Sequence, residues 1–348
     1  MQKIIFVVDN TEANLFMANE MLKSEYTVTT MPSASVMFTL LKTERPDLIL
    51  MDIEMPEMDG FEALKLLKEN AIYADIPVIL VTGIIDAVSQ VRGFELGAAD
   101  FLTKPFSEPL LLNRIKTYLN ISELIKERTS KLKERTIELQ NLQNNIVYVV
   151  ADMIENRDKE TGGHIERTTK YIKILIDSMI ARGVYIRELN KMDLETLCSS
   201  SRLHDVGKSV IPDAVLNKPG KLTNEEFEIM KTHAIEGERI IDRIIARTGS
   251  NIELLNYAKL FAGSHHERWD GKGYPRGLDR MNIPIQGRMM AIVDVYDALI
   301  SERPYKKPFT SEEAAKIIMD STGEMFDPLI AETFFEIRDQ FDAVEKRS

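Results

Sequence analysis

Five histidines occur in the chain, and two of them, His265 and His266, are adjacent in the segment SHHERWDGKGYP. The other three also keep chemically useful company. His204 precedes Asp205 in RLHDVGK, with Lys208 three residues further on. His164 closes KETGGH four residues after Glu160, a spacing that in a helix puts both side chains on one face. His233 lies on the helix expected after a Thr223 to Glu226 capping box, and RMMAIVDVYDAL offers Asp294 and, one turn later, Asp297. Any one of these groups alone is an ordinary core or surface residue. Together, histidines and carboxylates without cysteine suit first-row ions such as Fe or Mn in nitrogen and oxygen coordination better than a closed structural zinc site. More such groups are present than one ion accepts, so two or three ions sharing a bridging carboxylate are expected. Asp205 is the candidate bridge beside His204, because successive side chains at a helix end diverge by about 100°. Closely spaced ions activate water and stabilise both the attacking and the leaving oxygen of a phosphate ester. The chemistry suggested is phosphodiester hydrolysis.

Two kinds of pattern must position these residues, and the change falls near residue 107. Before it, the apolar runs IIFVV, YTVTT, LILM, VILV and FLT alternate with helix-length stretches such as EANLFMANEMLKS and FEALKLLKEN. This alternation predicts an α/β doubly wound parallel sheet of five strands, with its site at the C-terminal strand ends. Asp9 and Asn10 follow the first strand, Asp52 the third, Thr82 the fourth, and Lys104 the fifth. Acids that bind a hard cation, a hydroxyl and a lysine suit reversible phosphorylation of a carboxylate. With MDIEMPEMDG and TKPF, residues 1–120 resemble the receiver domain of bacterial response regulators. The resemblance implies phosphorylation of Asp52 by a histidine kinase, with Thr82, Lys104 and Phe101 as the switch residues. It also implies Mg²⁺ held by Asp9, Asn10, Asp52 and the Glu54 carbonyl. Receivers usually carry a second acid where this chain has Asn10, whose amide oxygen ligates without adding charge. A phosphorylation-independent receiver is the alternative.

Residues 108–153 hold no Pro or Gly after Pro109 and read as one long helical linker that continues the last receiver helix. Ile125, Leu132, Leu139, Ile146 and Met153 recur every seven residues, while Thr129, Thr136 and Gln143 are polar at the partner positions. Half a heptad seam predicts a parallel dimeric coiled coil, hence a homodimer.

Beyond it the pattern is all-helical. ETGGH, HDVGK, HHERWDGKGYP, DVYDAL and RPYK occur in the order of the HD-GYP cyclic dinucleotide phosphodiesterases, so residues 145–340 resemble that family. A generic HD phosphohydrolase leaves HHE and GYP unexplained. The resemblance implies that Glu160, His164, His204, Asp205, His233, His265, His266 and Asp294 bind two or three Fe or Mn ions, the third ion going with Glu160. Lys208, Tyr274, Arg303 and Lys306 become the candidates for holding cyclic di-GMP, through phosphate and through stacking on guanine. His204, Asp205 and Lys208 are the catalytic candidates. Glu267, Trp269 and Asp270 are expected to shape the loop. The expected product is pGpG or GMP. A sensor or adaptor that does not hydrolyse, meeting a diguanylate cyclase through the GYP loop, is the alternative from another class. Hydrolysis of another cyclic dinucleotide is a further one.

The formal charge of −11 disfavours binding to a polyphosphate backbone such as DNA. One cysteine, Cys198, excludes an internal disulfide and a thiolate cluster, and IIFVV is too short to span a membrane, so a cytoplasmic protein is expected.

Overall fold

The computed structural model describes residues 2–83, 87–157, 163–249, 252–301 and 307–345. It divides into two compact units, residues 1–137 and 138–348.

The first unit holds β1 (Ile4–Val8), β2 (Thr27–Met31), β3 (Leu48–Asp52), β4 (Val78–Thr82) and β5 (Asp100–Thr103) in a parallel sheet of order β2-β1-β3-β4-β5. Each apolar run read from the sequence became a strand. β3 and β4 are buried at every position, as expected when helices cover both faces. Those helices are α1 (Glu12–Leu22), α2 (Ala34–Leu40), α3 (Gly60–Glu69) and α4 (Ala87–Glu95). The start of a fifth helix, α5 (Glu108–Glu155), closes one face over about three turns, where Leu111, Ile115 and Leu119 pack under Ile5, Leu50 and Val81. The order reverses direction between β1 and β3, and the polar groups after these strands sit at that switch point.

Helix α5 runs from Glu108 to Glu155 without interruption, two residues past the expected end. The residues of its seven-residue repeat are solvent-exposed, from 55% at Ile146 to 68% at Met153.

The second unit contains α6 (His164–Ala181), α7 (Ile186–Leu189), α8 (Leu194–Ser200), α9 (Asp213–Leu216), α10 (Asn224–Thr248), α11 (Glu253–Ser264), α12 (Ile285–Ile300), α13 (Ser311–Asp320) and α14 (Pro328–Glu345). Two 3₁₀ turns, Ser201–Leu203 and Val206–Val210, flank His204 and Asp205. Tyr171, Phe261, Tyr296, Phe334 and Phe341 fill the main core. A smaller core joins Ala151 of α5 to Ile165, Leu203, Ile241 and Ala258. Both cores press the ligand-bearing helices α6, α10, α11 and α12 together. α10 starts with the expected capping box, Thr223 accepting from the Glu226 N–H. Gly163, at φ 88°, is the N-cap of α6 and His164 is its first residue, while Glu160, expected on the same helical face, lies outside the described residues.

Candidate metal centre and receiver cluster

In the second unit four histidines are fixed by the same device. The Nδ1–H of His204 donates to the Ser201 carbonyl at 2.9 Å, that of His233 to Met230 at 2.7 Å, and that of His265 to Phe261 at 3.0 Å. For His204, His233 and His265 these acceptors lie three or four residues back, where a helix end leaves carbonyls within reach. His164 Nδ1 lies 2.8 Å from Asp297 Oδ2. With Nδ1 protonated, each Nε2 of the neutral ring carries a lone pair.

These lone pairs converge. His164 Nε2 and His204 Nε2 are 3.4 Å apart, and His233 Nε2 and His265 Nε2 are 3.3 Å apart. Two acceptors so close repel unless a proton or a cation lies between them. His164, His204 and Asp294 form one group whose ligand atoms lie within 4.8 Å of one another, and His233, His265 and His266 form a second. Asp205 lies between them. Its Oδ2 is 3.4 Å from His204 Nε2, while its Oδ1 is 3.4 Å from His233 Nε2 and 3.6 Å from His265 Nε2. Oδ1 is buried and finds no hydrogen-bond donor among the described residues, a costly state for an oxygen that nothing coordinates. This donor set fits a pair of divalent ions bridged by Asp205.

The charges point the same way. Burial alone would lower His164, but its hydrogen bond to Asp297 and the charges of Asp294, Asp297 and Asp205 push it up to about 9. His265 is raised by Asp205 against its own burial. Burial holds His233 down to about 4 and His266 well below its ordinary value, with His265 adding to both. Burial opposes ionisation of Asp205, yet Lys208 and His204 keep its carboxyl well below the usual carboxylate range. The carboxylates of Asp205, Asp294 and Asp297 thus favour positive charge on the imidazoles that face them.

Sequence reasoning gave Asp297 no role and did not single out Arg167. Asp297 is buried and takes a bidentate grip from Arg167, Nε at 2.7 Å and Nη2 at 2.9 Å, while orienting His164. Only the one-turn spacing from Asp294 hinted at it. Gly207, in the HDVGK segment, is required by packing. A Cβ there would stand 1.9 Å from the His233 carbonyl oxygen and 2.5 Å from the Gly237 nitrogen.

A groove of about 800 Å³ adjoins the second histidine group, walled by Phe227, Lys231, Arg268, Tyr274, Asp294 and Phe326. The Tyr274 ring tilts against His266 with centroids 4.7 Å apart, so it packs a metal-ligand candidate and borders the groove at once. Lys231 Nζ lies 5.8 Å from the Tyr274 ring centre and 5.6 Å from that of Phe227, a cation that the motifs did not single out. Lys208 faces Asp205 Oδ2 at 3.0 Å instead. The loop is shaped by Glu267, whose two oxygens accept the Arg276 and Leu278 N–H groups at 2.8 and 2.9 Å. Asp270, held by Arg268, and Trp269, whose N–H donates to the Met325 carbonyl, complete it as expected. Gly273 lets the loop fold onto His266 and Glu267, where a Cβ would meet backbone at 2.4–2.6 Å. Glu160, Arg303 and Lys306 lie outside the described residues.

In the first unit Lys104 Nζ binds Asp9 Oδ2 at 2.7 Å and Asp52 Oδ2 at 2.9 Å, bringing together residues from the ends of β1, β3 and β5. Burial raises Asp52, Lys104 counters, Asp9 adds, and the Glu54 N–H donates to its carboxylate. Thr82 is buried at the end of β4. Phe101 is buried edge-on to Phe94, centroids 5.2 Å apart. Two paired carboxylates fit one Mg²⁺, but the Asn10 side chain is exposed and accepts from Thr11, and Asn14 donates to both oxygens of Asp9 at 3.0 Å. Asn14 had gone unnoticed in the sequence.

Known proteins agree with this division. The response regulator receiver domain family matches residues 5–116 and the HD domain family residues 148–330. A probable cyclic di-GMP phosphodiesterase of Vibrio cholerae is 38% identical over 96% of this chain and 77% of its own length. The cyclic di-GMP phosphodiesterase response regulator RpfG of Xanthomonas campestris is 34% identical over 86% of this chain and 78% of its length. A 3′3′-cGAMP-specific phosphodiesterase of Vibrio cholerae is 38% identical over 75% of this chain, which spans 44% of that protein. The chain therefore belongs to the HD domain family, with a response regulator receiver domain ahead of it, and the relatives that it matches along most of their length are named cyclic di-GMP phosphodiesterases.

Proposed function

We propose that the chain hydrolyses cyclic di-GMP to pGpG or GMP at its histidine and carboxylate centre. The observation that carries this reading is the placement of Asp205 between two histidine groups, with one oxygen toward each of His204 and His233. His164, His204 and Asp294 would hold one ion, His233, His265 and His266 the other, and Asp205 both. Glu160 is the candidate for a third, and Fe or Mn suits the set. When bound, such ions supply Lewis-acid polarisation of the phosphodiester and acidify water. The chain itself does the rest. Asp297 and three backbone carbonyls fix the imidazole tautomers, and Lys208 holds Asp205 while adding positive charge beside the phosphate. Tyr274, Arg303 and Lys306 take the dinucleotide.

The receiver controls this activity through phosphorylation of Asp52 by a histidine kinase, with Mg²⁺ at Asp9, Asn10, Asp52 and Glu54. Thr82, Phe101 and Lys104 respond to the phosphoryl group. Two copies pair along the exposed repeat of α5 in the cytoplasm. The domain limits proposed from sequence, 1–120, 108–153 and 145–340, follow these functions. The compact units instead divide within α5, which both domains share.

Protein purified without oxygen, analysed for metal and assayed on cyclic di-GMP and 3′3′-cGAMP in competition, tests the reading. The expected result is at least two ions per chain and preference for cyclic di-GMP, both lost in Asp205→Ala. The relative specific for 3′3′-cGAMP favours the second substrate as the competing reading. Two bound ions without turnover of either would favour the adaptor role, in which the GYP loop meets a diguanylate cyclase.

A further inference from the structure

The last residues of α5 and those just after it touch two of the segments that carry metal-ligand candidates. Glu155 Oε1 accepts the His164 N–H at 2.8 Å, and Glu155 Oε2 accepts the Ile165 N–H at 3.2 Å. These are two of the four N–H groups that the start of α6 leaves without helical partners. The preceding Gly163 makes no side-chain cap, so Glu155 caps α6 from another helix. Two residues on, Arg157 donates to the carbonyls of Ser209 at 2.5 Å and Ile211 at 3.0 Å, reaches Lys208 at 3.4 Å, and pairs with Asp213 at 2.9 Å. Its own carbonyl accepts from Asn217 at 3.2 Å. This clamp holds the turn that follows His204 and Asp205.

We propose that Glu155 and Arg157 are positioning residues for the metal centre, Glu155 for the half built on His164 and Arg157 for the turn bearing Asp205 and Lys208. The inference rests on the metal-dependent reading above. A carboxylate on the first N–H groups of α6 fixes where His164 starts, and the His164 ring cannot swing to compensate, because Asp297 already holds its other nitrogen. Partners of this kind typically change metal affinity by about 10–100-fold. Because α5 begins at Glu108, the element whose end is fastened to the centre is the one that also closes the receiver core.

The test is Glu155→Gln in the full chain, titrated with Mn²⁺ in the absence of substrate. Wild type is expected to bind two ions whose paramagnetic spectrum is that of a coupled pair. Glu155→Gln should bind one of them about tenfold or more weakly and show the spectrum of an isolated ion at limiting metal. Glu155→Asp should fall between. Arg157→Lys, which cannot span the carbonyls, should keep both ions at saturation and lose turnover. Glu134→Gln, on the exposed middle of α5, should match wild type. Wild-type affinity for both ions in Glu155→Gln would overturn the proposal. So would equal loss of both ions together with a lower melting point of the metal-free protein, since that describes a general structural cap. Failure of the wild type to bind two ions would sink the metal-dependent reading instead.

Discussion

Gly207→Ala carries the smallest chemical change with the largest expected consequence. The added methyl would lie 1.9 Å from the His233 carbonyl oxygen, 2.5 Å from the Gly237 nitrogen and 2.8 Å from the His233 carbonyl carbon. All three are backbone atoms of α10, so no side chain can rotate away. To restore ordinary contact the turn at Val206–Val210 must withdraw from α10 by about 1–1.5 Å. Asp205 lies two residues before Gly207 and Lys208 one after, while His233 sits on the helix being pushed. Asp205 and His233 therefore separate by a similar amount. Overpacking of this kind costs about 1–3 kcal/mol of stability. For a domain of this size, that lowers the melting temperature by about 2–4 °C for each kcal/mol. A displacement of about 1 Å at reacting groups costs on the order of 100-fold in turnover. Gly183→Ala is the comparison. Gly183 has φ 72° and open space around it, so alanine there strains the backbone without touching the centre. Melting curves and turnover per folded, metal-loaded molecule should show both variants less stable and only Gly207→Ala inactive. Wild-type turnover in Gly207→Ala would refute the reasoning, because it would mean that the turn moves freely without disturbing Asp205.

Lys231→Met should raise KM for cyclic di-GMP about tenfold, as loss of one charged contact does, and leave metal content and kcat unchanged. Unchanged KM would remove Lys231 from the substrate groove. Asn10→Asp adds a carboxylate beside Asp9 and Asp52, so Mg²⁺ binding should tighten about tenfold and phosphorylation of Asp52 by a small phosphodonor should quicken. No change in either would place Asn10 away from the cation, in line with its exposed contact with Thr11. Inserting seven residues at Thr129 keeps the exposed repeat of α5 in phase, whereas inserting four rotates it. The prediction is a dimer whose response to phosphorylation survives the first and fails with the second. Equal regulation in both, or a monomer at micromolar concentration, would exclude transmission through the helix.

The parts legible in the sequence share one property: their causes are local. β3 and β4 were legible because a strand buried on both faces must be apolar throughout, and Thr223 with Glu226 started α10 because a capping box needs only four consecutive residues. The ligand candidates were recognisable because His and Asp chemistry is carried by the residue type itself. Tertiary packing decided what they do together. His164 and Asp297 are 133 residues apart in the chain and Glu155 reaches His164 from a different helix, so no spacing could reveal either contact. Asp205 faces both histidine groups only because α10 packs against the turn at Gly207, and Lys231 borders the groove only because the GYP loop folds back over His266. α6 itself starts at His164, just after Gly163 at positive φ, and Glu160 lies outside the described residues. Residue types chose the chemistry of this protein; helix packing, which depends on contacts far apart in sequence, chose the geometry.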